Sequence, residues 1–226
     1  MPRRSRVVFS RVPHHVTQRG NHRERVFFEP GDREFYLWLL KVYARQHRVE
    51  VYAYCLMTNH VHLVVVPDDS LTMHRALRAV HSQYAQRVNR MAGRCGHLWQ
   101  GRYFSSPLDS NYFLNAVRYV ELNPVRAGLV TKAEDYEWSS AAARCGRRLD
   151  NLLASVGSSA LLAGITNWSA WLDDGLPAES LETLRHHGSK NLPCGSSEFV
   201  AALEEAVGDS LTCRPPGRPW PQKAKK

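Results

Sequence analysis

Residues 58–66, Thr58-Asn59-His60-Val61-His62-Leu63-Val64-Val65-Val66, hold the reading from which both fold and chemistry follow. The run is rich in β-branched residues and stops at Pro67-Asp68-Asp69-Ser70, which predicts a strand. Side chains on a strand alternate between its faces, so His60 and His62 project from the same side. Val61, Leu63 and Val65 then face a core, and Val64 and Val66 continue the histidine face away from the site. Two imidazoles one repeat apart on a stiff strand can share a metal ion. An HxH triplet on its own is common, so its meaning depends on what the rest of the chain brings beside it.

Upstream, Glu50 to Leu56 predicts a strand joined to the histidine strand by the turn Met57-Thr58-Asn59, making a hairpin. Before it, Phe35, Leu39, Val42 and Gln46 follow a helical spacing opened by Asp32 and broken near Arg48. Val12 to Thr17 predicts the first strand, followed by the turn that holds Gly20 and Asn21. Downstream, Ser70 caps a long helix with the apolar face Met73, Leu77, Val80, Tyr84, Val88 and Met91, closed by Gly93. A further strand runs to Leu108. The order strand, helix, strand, strand, helix, strand predicts an α+β fold, the ferredoxin-like βαββαβ antiparallel sheet with both helices on one face. Fold alone assigns no function.

A third helix, capped by Asp109 or Ser110, runs from Asn111 to about Leu122 and buries Phe113, Val117 and Val120. Asn115, Tyr119 and Asn123 recur at i, i+4 and i+8 and form a second, polar stripe. Asn123-Pro124 is where a helix stops or restarts, because the residue before proline avoids the helical region. Val125 to Val130 and Trp138 to Cys145 read as short helical pieces. The composition shifts after Arg148, which divides the chain into 1–148 and a 149–226 extension. There Pro177 to His187 and Ser197 to Val207 read as helices ended by Gly188 and Gly208.

The 226 residues carry a net charge of +9 and a pI near 9.6, a balance that favours a polyanionic partner. Arginine dominates over lysine, and its planar fork suits phosphate contacts and stacking on bases. Candidate DNA contacts are Arg3 and Arg4 in the basic arm, Arg19 and Asn21 in the first turn, and Arg75 and Arg78 on the long helix. Arg102 and, in the Gly217-Arg218-Pro219 tail, Arg218 complete the set. Five scattered cysteines, with no CxxC pair, argue against a disulfide framework and a structural zinc site. No run approaches the length of a membrane span, and the start lacks an apolar leader; a cytoplasmic, nucleoid-associated location is the expectation.

If His60, His62 and the Asn123 amide oxygen meet at one ion, all three ligands are neutral and the ion keeps its charge. It would attract a phosphate oxygen as a Lewis acid. Imidazole with oxygen donors suits Mn²⁺ or Mg²⁺, with zinc also open. Tyr119, one turn before Asn123, would reach the same place as a nucleophile. A free phenol, with a pKa of roughly 10, attacks poorly unless a cation or base assists it. Tyr112 is its rival.

Three segments carry a family likeness: Tyr54-Cys55-Leu56-Met57-Thr58-Asn59-His60-Val61-His62, Trp99-Gln100-Gly101-Arg102-Tyr103, and Arg118-Tyr119-Val120-Glu121-Leu122-Asn123-Pro124-Val125-Arg126-Ala127-Gly128-Leu129-Val130. In this order they resemble the single-tyrosine HUH transposases, and within them the REP-associated tyrosine transposases. The resemblance runs from about Val12 to Ser140. It implies an HUH endonuclease fold with an added catalytic helix and a basic C-terminal region. It implies a divalent-metal-dependent nickase and strand transferase acting on single-stranded or hairpin palindromic DNA through a 5′-phosphotyrosine. His60, His62 and Asn123 match the metal ligands of that family and Tyr119 its nucleophile. The other classes to be told apart are a hairpin-DNA binding protein whose catalysis has lapsed and a metal-dependent phosphodiesterase that uses water. Whether the protein is a monomer or a homodimer is open at this level.

Overall fold

The computed structural model describes residues 7–93 and 95–212. Its first half runs β1 (His14–Arg19), α1 (Pro30–Gln46), β2 (Val49–Leu56), β3 (His60–Pro67), α2 (Thr72–Met91) and β4 (Phe104–Pro107). After these come α3 (Ser110–Glu121), α4 (Asn123–Arg126), α5 (Ala141–Arg144), α6 (Ala160–Ala163), α7 (Trp168–Asp173), α8 (Ala178–Gly188) and α9 (Ser197–Val207). The four strands form one antiparallel sheet in the order β2-β3-β1-β4. This is the βαββαβ arrangement of an α+β protein.

Both faces of the sheet are covered, which explains why β2 and β3 are apolar almost throughout. Val61, Leu63 and Val65 pack under α1 and α2 with Tyr36, Leu39, Leu77, Val80 and Tyr84. The opposite face, with Tyr52, Cys55 and Val64, packs against Phe113, Ala116, Val117 and Val120 of α3. A register shift between Val51 and Ala53 places Tyr52 and Ala53 together in this second core.

Several boundaries differ from the sequence reading for identifiable reasons. Pairing of β1 begins at His14 and not Val12, since Pro13 has no N–H to donate and Arg11 sits at φ 57°. Asp32 is three residues inside α1: its carboxylate accepts the backbone N–H groups of Phe28 (2.8 Å) and Glu29 (3.0 Å), while Glu29 occupies the cap. The buried stripe of α1 is Tyr36, Leu39, Leu40 and Ala44, so Val42 faces solvent. Tyr36 draws the helix round, because its ring meets Phe27, Tyr84 and Trp99 beneath it. At α2 the entry is held by Asp69 and not Ser70: Asp69 Oδ1 accepts from Leu71 N at 2.6 Å, and Thr72 Oγ1 donates to the Asp69 carbonyl at 2.8 Å. Met91 is exposed in the last turn, and Gly93, at φ +59°, ends the helix as its position suggests.

Asp109 caps α3 by accepting from Tyr112 N at 2.8 Å. The helix stops at Leu122 and restarts at Asn123-Pro124. The chain after Arg148 packs into the second core, where Leu162, Trp168, Leu172, Leu184 and Cys194 are buried. Short backbone bridges tie it to the sheet at Val51–Leu153 and Leu108–Cys194. The α7 turn, absent from the sequence reading, supplies Trp168 and Leu172 to this core.

Candidate active site

The antiparallel pairing of β1 and β3 sets His60 opposite Arg19, His62 opposite Thr17 and Val64 opposite His15. These side chains therefore share the face that α3 covers. His60 Nδ1 lies 2.6 Å from Asn59 Oδ1, and Asn59 Nδ2 donates to the Arg23 carbonyl at 2.9 Å. That second bond orients the amide, so its oxygen faces His60, the proton sits on Nδ1, and Nε2 keeps a lone pair. The His62 ring stands 4.9 Å from His60, nearly perpendicular to it. Its Nδ1 is engaged by His15 Nε2 at 2.9 Å and Thr17 Oγ1 at 3.2 Å.

Burial, with Arg19 adding to it, lowers the His60 pKa to about 4; burial and Arg126 lower His15 to about 4. Burial holds His62 well below its ordinary value, reinforced by His60, His15, Arg126 and Arg19. All three rings are neutral at neutral pH, the state in which an imidazole can act as a ligand.

Tyr119 comes to this face from α3. Its ring is edge-on to His62 at 5.6 Å and to His15 at 5.5 Å. The Arg126 guanidinium lies 4.2 Å over the phenol ring, and its Nη2 also donates to the Tyr119 carbonyl at 2.7 Å. Asn123 Nδ2 donates to the same carbonyl at 3.1 Å, and among the described residues its Oδ1 accepts no hydrogen bond. Two residues beyond Tyr119, the fully buried Glu121 accepts from Ser140 Oγ (2.5 Å) and Trp168 Nε1 (2.6 Å), and burial raises its pKa to about 7. It fixes the end of α3 against the strand-bridging segment around Ser139 and against α7. Tyr112, the rival tyrosine, packs beside the second core.

His60, His62, Tyr119 and Asn123 line one cavity of about 460 Å³, with Arg19, Arg23 and Arg185 among its other walls and no carboxylate among the described residues that line it. Other sequence candidates lie elsewhere. Arg78 and Arg102 line a different hollow of about 530 Å³, together with His74, His97 and Trp99. Arg75 is exposed on α2, and Asn21 borders a third hollow with Arg25 and Asn89. Arg3, Arg4 and Arg218 fall outside the described residues. Sequence reasoning missed His15, Thr17, Arg126 and Arg185. His15 and Thr17 alternate on β1 as His60 and His62 do on β3, a signal that only the register makes readable. Arg126 stands in the stretch from Arg118 to Val130 with no local pattern that gives it a role, and nothing local marks Arg185.

Among the described residues no group of three or more His, Cys, Asp or Glu side chains is placed to hold a metal ion. The donor set that is present consists of two neutral imidazoles and one amide oxygen. It fits a divalent ion that accepts mixed nitrogen and oxygen donors and completes its shell with phosphate or water.

The IS200-like transposase family matches residues 8–123, just over half of the chain. Among solved structures, the chain is similar to a REP-associated tyrosine transposase bound to a REP hairpin. The likeness has 19% identity and a TM-score of 0.54, over 69% of this chain and 92% of that one. A candidate transposase from Deinococcus radiodurans R1 is looser, with 19% identity and a TM-score of 0.36 over 54% of this chain and 96% of that one. None of the curated proteins matches significantly.

Proposed function

Since the chain belongs to the IS200-like transposase family, we propose that it cuts and rejoins single DNA strands at hairpin or REP-like palindromic sequences, with Tyr119 as the nucleophile. The observation that carries this reading is the contact of the Tyr119 ring with His62, beside His60, in one arginine-edged cavity whose described lining residues include no carboxylate. A phosphodiester is the anion such a cavity suits, and a phenol is the nucleophile it offers.

In the proposed reaction the Tyr119 oxygen attacks the phosphorus and the bond to the 3′ oxygen breaks. The phenol gives up its proton and the departing 3′ oxygen takes one up. The products are a 5′-phosphotyrosine and a free 3′-hydroxyl. The phosphotyrosine keeps the energy of the broken bond, so attack by another 3′-hydroxyl rejoins DNA without an external energy source. Arg126, stacked on the ring, offsets negative charge as it develops on the phenol. Arg19 and Arg23 hold the flanking phosphates.

His60, His62 and the Asn123 oxygen are the residues that would hold Mg²⁺ or Mn²⁺. When bound, such an ion supplies Lewis-acid charge at a phosphate oxygen. Asn59 and the His15–Thr17 pair support the two rings from behind, as outer groups do for ligating histidines. Arg75, Arg78, Arg102, the basic arm and the 149–226 extension are proposed as accessory DNA contacts.

The test is a labelled hairpin oligonucleotide with a single-stranded extension, incubated with the full chain and Mg²⁺ or Mn²⁺. A covalent protein–DNA band on a denaturing gel is expected, and none from Tyr119→Phe. Binding without a covalent band would favour a lapsed DNA-binding protein. Cleavage that survives in Tyr119→Phe would favour a hydrolytic phosphodiesterase.

A further inference from the structure

We propose that α8, in the C-terminal segment beyond the family match, supplies a phosphodiester-binding residue, Arg185, so that a single DNA strand lies between the sheet face and this helix. The inference rests on the DNA-strand reading above and adds a residue and a segment to it.

The placement of α8 is built and not incidental. Leu184 is fully buried in the second core, which fixes the rotation of the helix and turns the neighbouring Arg185 to the cavity. Gly188 packs so closely on His15 that a Cβ there would lie 3.3 Å from His15 Nδ1. Asn115 of α3 donates to Ser180 Oγ at 3.2 Å near the start of α8. Just past its end, Asn191 Oδ1 accepts the Ser105 N–H of β4 at 2.8 Å. The chain then bridges the sheet edge: Cys194 N donates to the Pro107 carbonyl at 2.8 Å and Asp109 N to the Cys194 carbonyl at 3.0 Å. The helix is thus pinned to α3, which carries Tyr119, and to β1 and β4 of the sheet.

Charge says what the wall is for. Arg185 is exposed, and among the described residues no carboxylate comes within ion-pair distance of it, Glu182 one turn earlier included. It faces a cavity already bordered by Arg19 and Arg23. Its charge also acts against Arg126, whose pKa is lowered first by burial and further by Arg185. Guanidiniums collected around one space repel each other until an anion enters between them. A phosphodiester oxygen pair matches the guanidinium fork, and Tyr119 in the same space requires a phosphodiester there. A cavity of about 460 Å³ has room for a small ligand or a stretch of one strand.

The experiment measures binding of a fluorescent hairpin with a single-stranded extension, and of the same hairpin blunt-ended, across a salt series. The full chain carries Tyr119→Phe in every arm, so that no cleavage occurs. Adding Arg185→Gln is expected to weaken binding of the extended hairpin and to flatten its log–log salt slope by ~0.7, the value of one lost single-strand phosphate contact. Binding of the blunt hairpin is expected to stay the same. Arg185→Lys, which keeps the charge, should restore most of the slope, and Arg45→Gln, outside the cavity, should leave it intact. Thermal unfolding of Arg185→Gln should coincide with the parent, since the side chain is exposed. An unchanged slope for Arg185→Gln, or an equal loss on the blunt hairpin, overturns the proposal. Failure of the parent chain to bind either oligonucleotide sinks the DNA reading itself and is told apart by that arm alone.

Discussion

Asn59 shows how much a single side chain decides at this site. Its amide is oriented by the Arg23 carbonyl and sets the proton of His60 on Nδ1, so the other ring nitrogen is left to bind. Asn59→Ala should therefore weaken Mn²⁺ binding by about 10- to 100-fold, the usual effect of losing the group behind a ligating histidine. Titration calorimetry on the full chain checks this, and an unaltered affinity would remove Asn59 from the support of His60. The histidine pair was legible because a strand has period two. Its partners His15 and Thr17 were not, since which residue of β1 faces which of β3 depends on a register that no local pattern states. Arg126 was hidden for a related reason: it reaches back over Tyr119 only because the chain breaks at Asn123-Pro124 and turns.

At the scale of elements, α3 has two loyalties. One side packs Phe113, Val117 and Val120 on the sheet, as the sequence spacing predicts, and the other presents Tyr119 to the histidines. Glu121 locks the rotation between these duties through Ser140 and Trp168. Glu121→Ala would leave the buried Trp168 indole N–H without its acceptor and the Ser140 hydroxyl with only the Tyr54 carbonyl at 3.4 Å, and should cost about 3 kcal/mol in urea unfolding. Glu121→Gln can accept from Trp168 and donate to Ser140, so its loss should stay near ~1 kcal/mol. Equal stability of both variants with the parent would show that the lock carries no weight. The alternation of β3, the helix-ending Gly93 and the helix break at Pro124 were all readable in advance. Of the α1 stripe expected from spacing, Leu39 is fully buried while Val42 faces solvent, because an aromatic cluster around Tyr36 and not propensity sets the helix rotation. The partner of Glu121 was out of reach, as Trp168 is 47 residues away in a turn with no strong pattern of its own.

For the whole molecule, the βαββαβ core could be assembled from the order of its elements, whereas the packing of residues 149–212 onto α3 and β4 could not. Compositional change suggests a boundary, but contacts over such separations follow from tertiary fit. The sheet also buries histidines outside the candidate ligand set: His14 is fully buried and has its pKa lowered to about 4 by desolvation, against which its bond to the Val12 carbonyl acts. With His15 and His60, also near 4, the folded chain binds protons later than the unfolded chain does. Stability should be complete above about pH 6.5 and fall as the pH drops toward 4, by on the order of 3 kcal/mol per ring. Urea midpoints at pH 7.5 and pH 5 check the sign, and a midpoint that rises on acidification would contradict it.

The central claim is that one phenol, delivered by a helix to a pair of sheet histidines, becomes joined to DNA. Its most direct test is mass spectrometry of the chain after reaction with an extended hairpin and Mg²⁺ or Mn²⁺, followed by nuclease and trypsin. The account predicts nucleotide mass on the peptide that runs from Tyr119 to Arg126. Nucleotide mass on the peptide containing Tyr112, or cleaved DNA with no modified peptide, would contradict it.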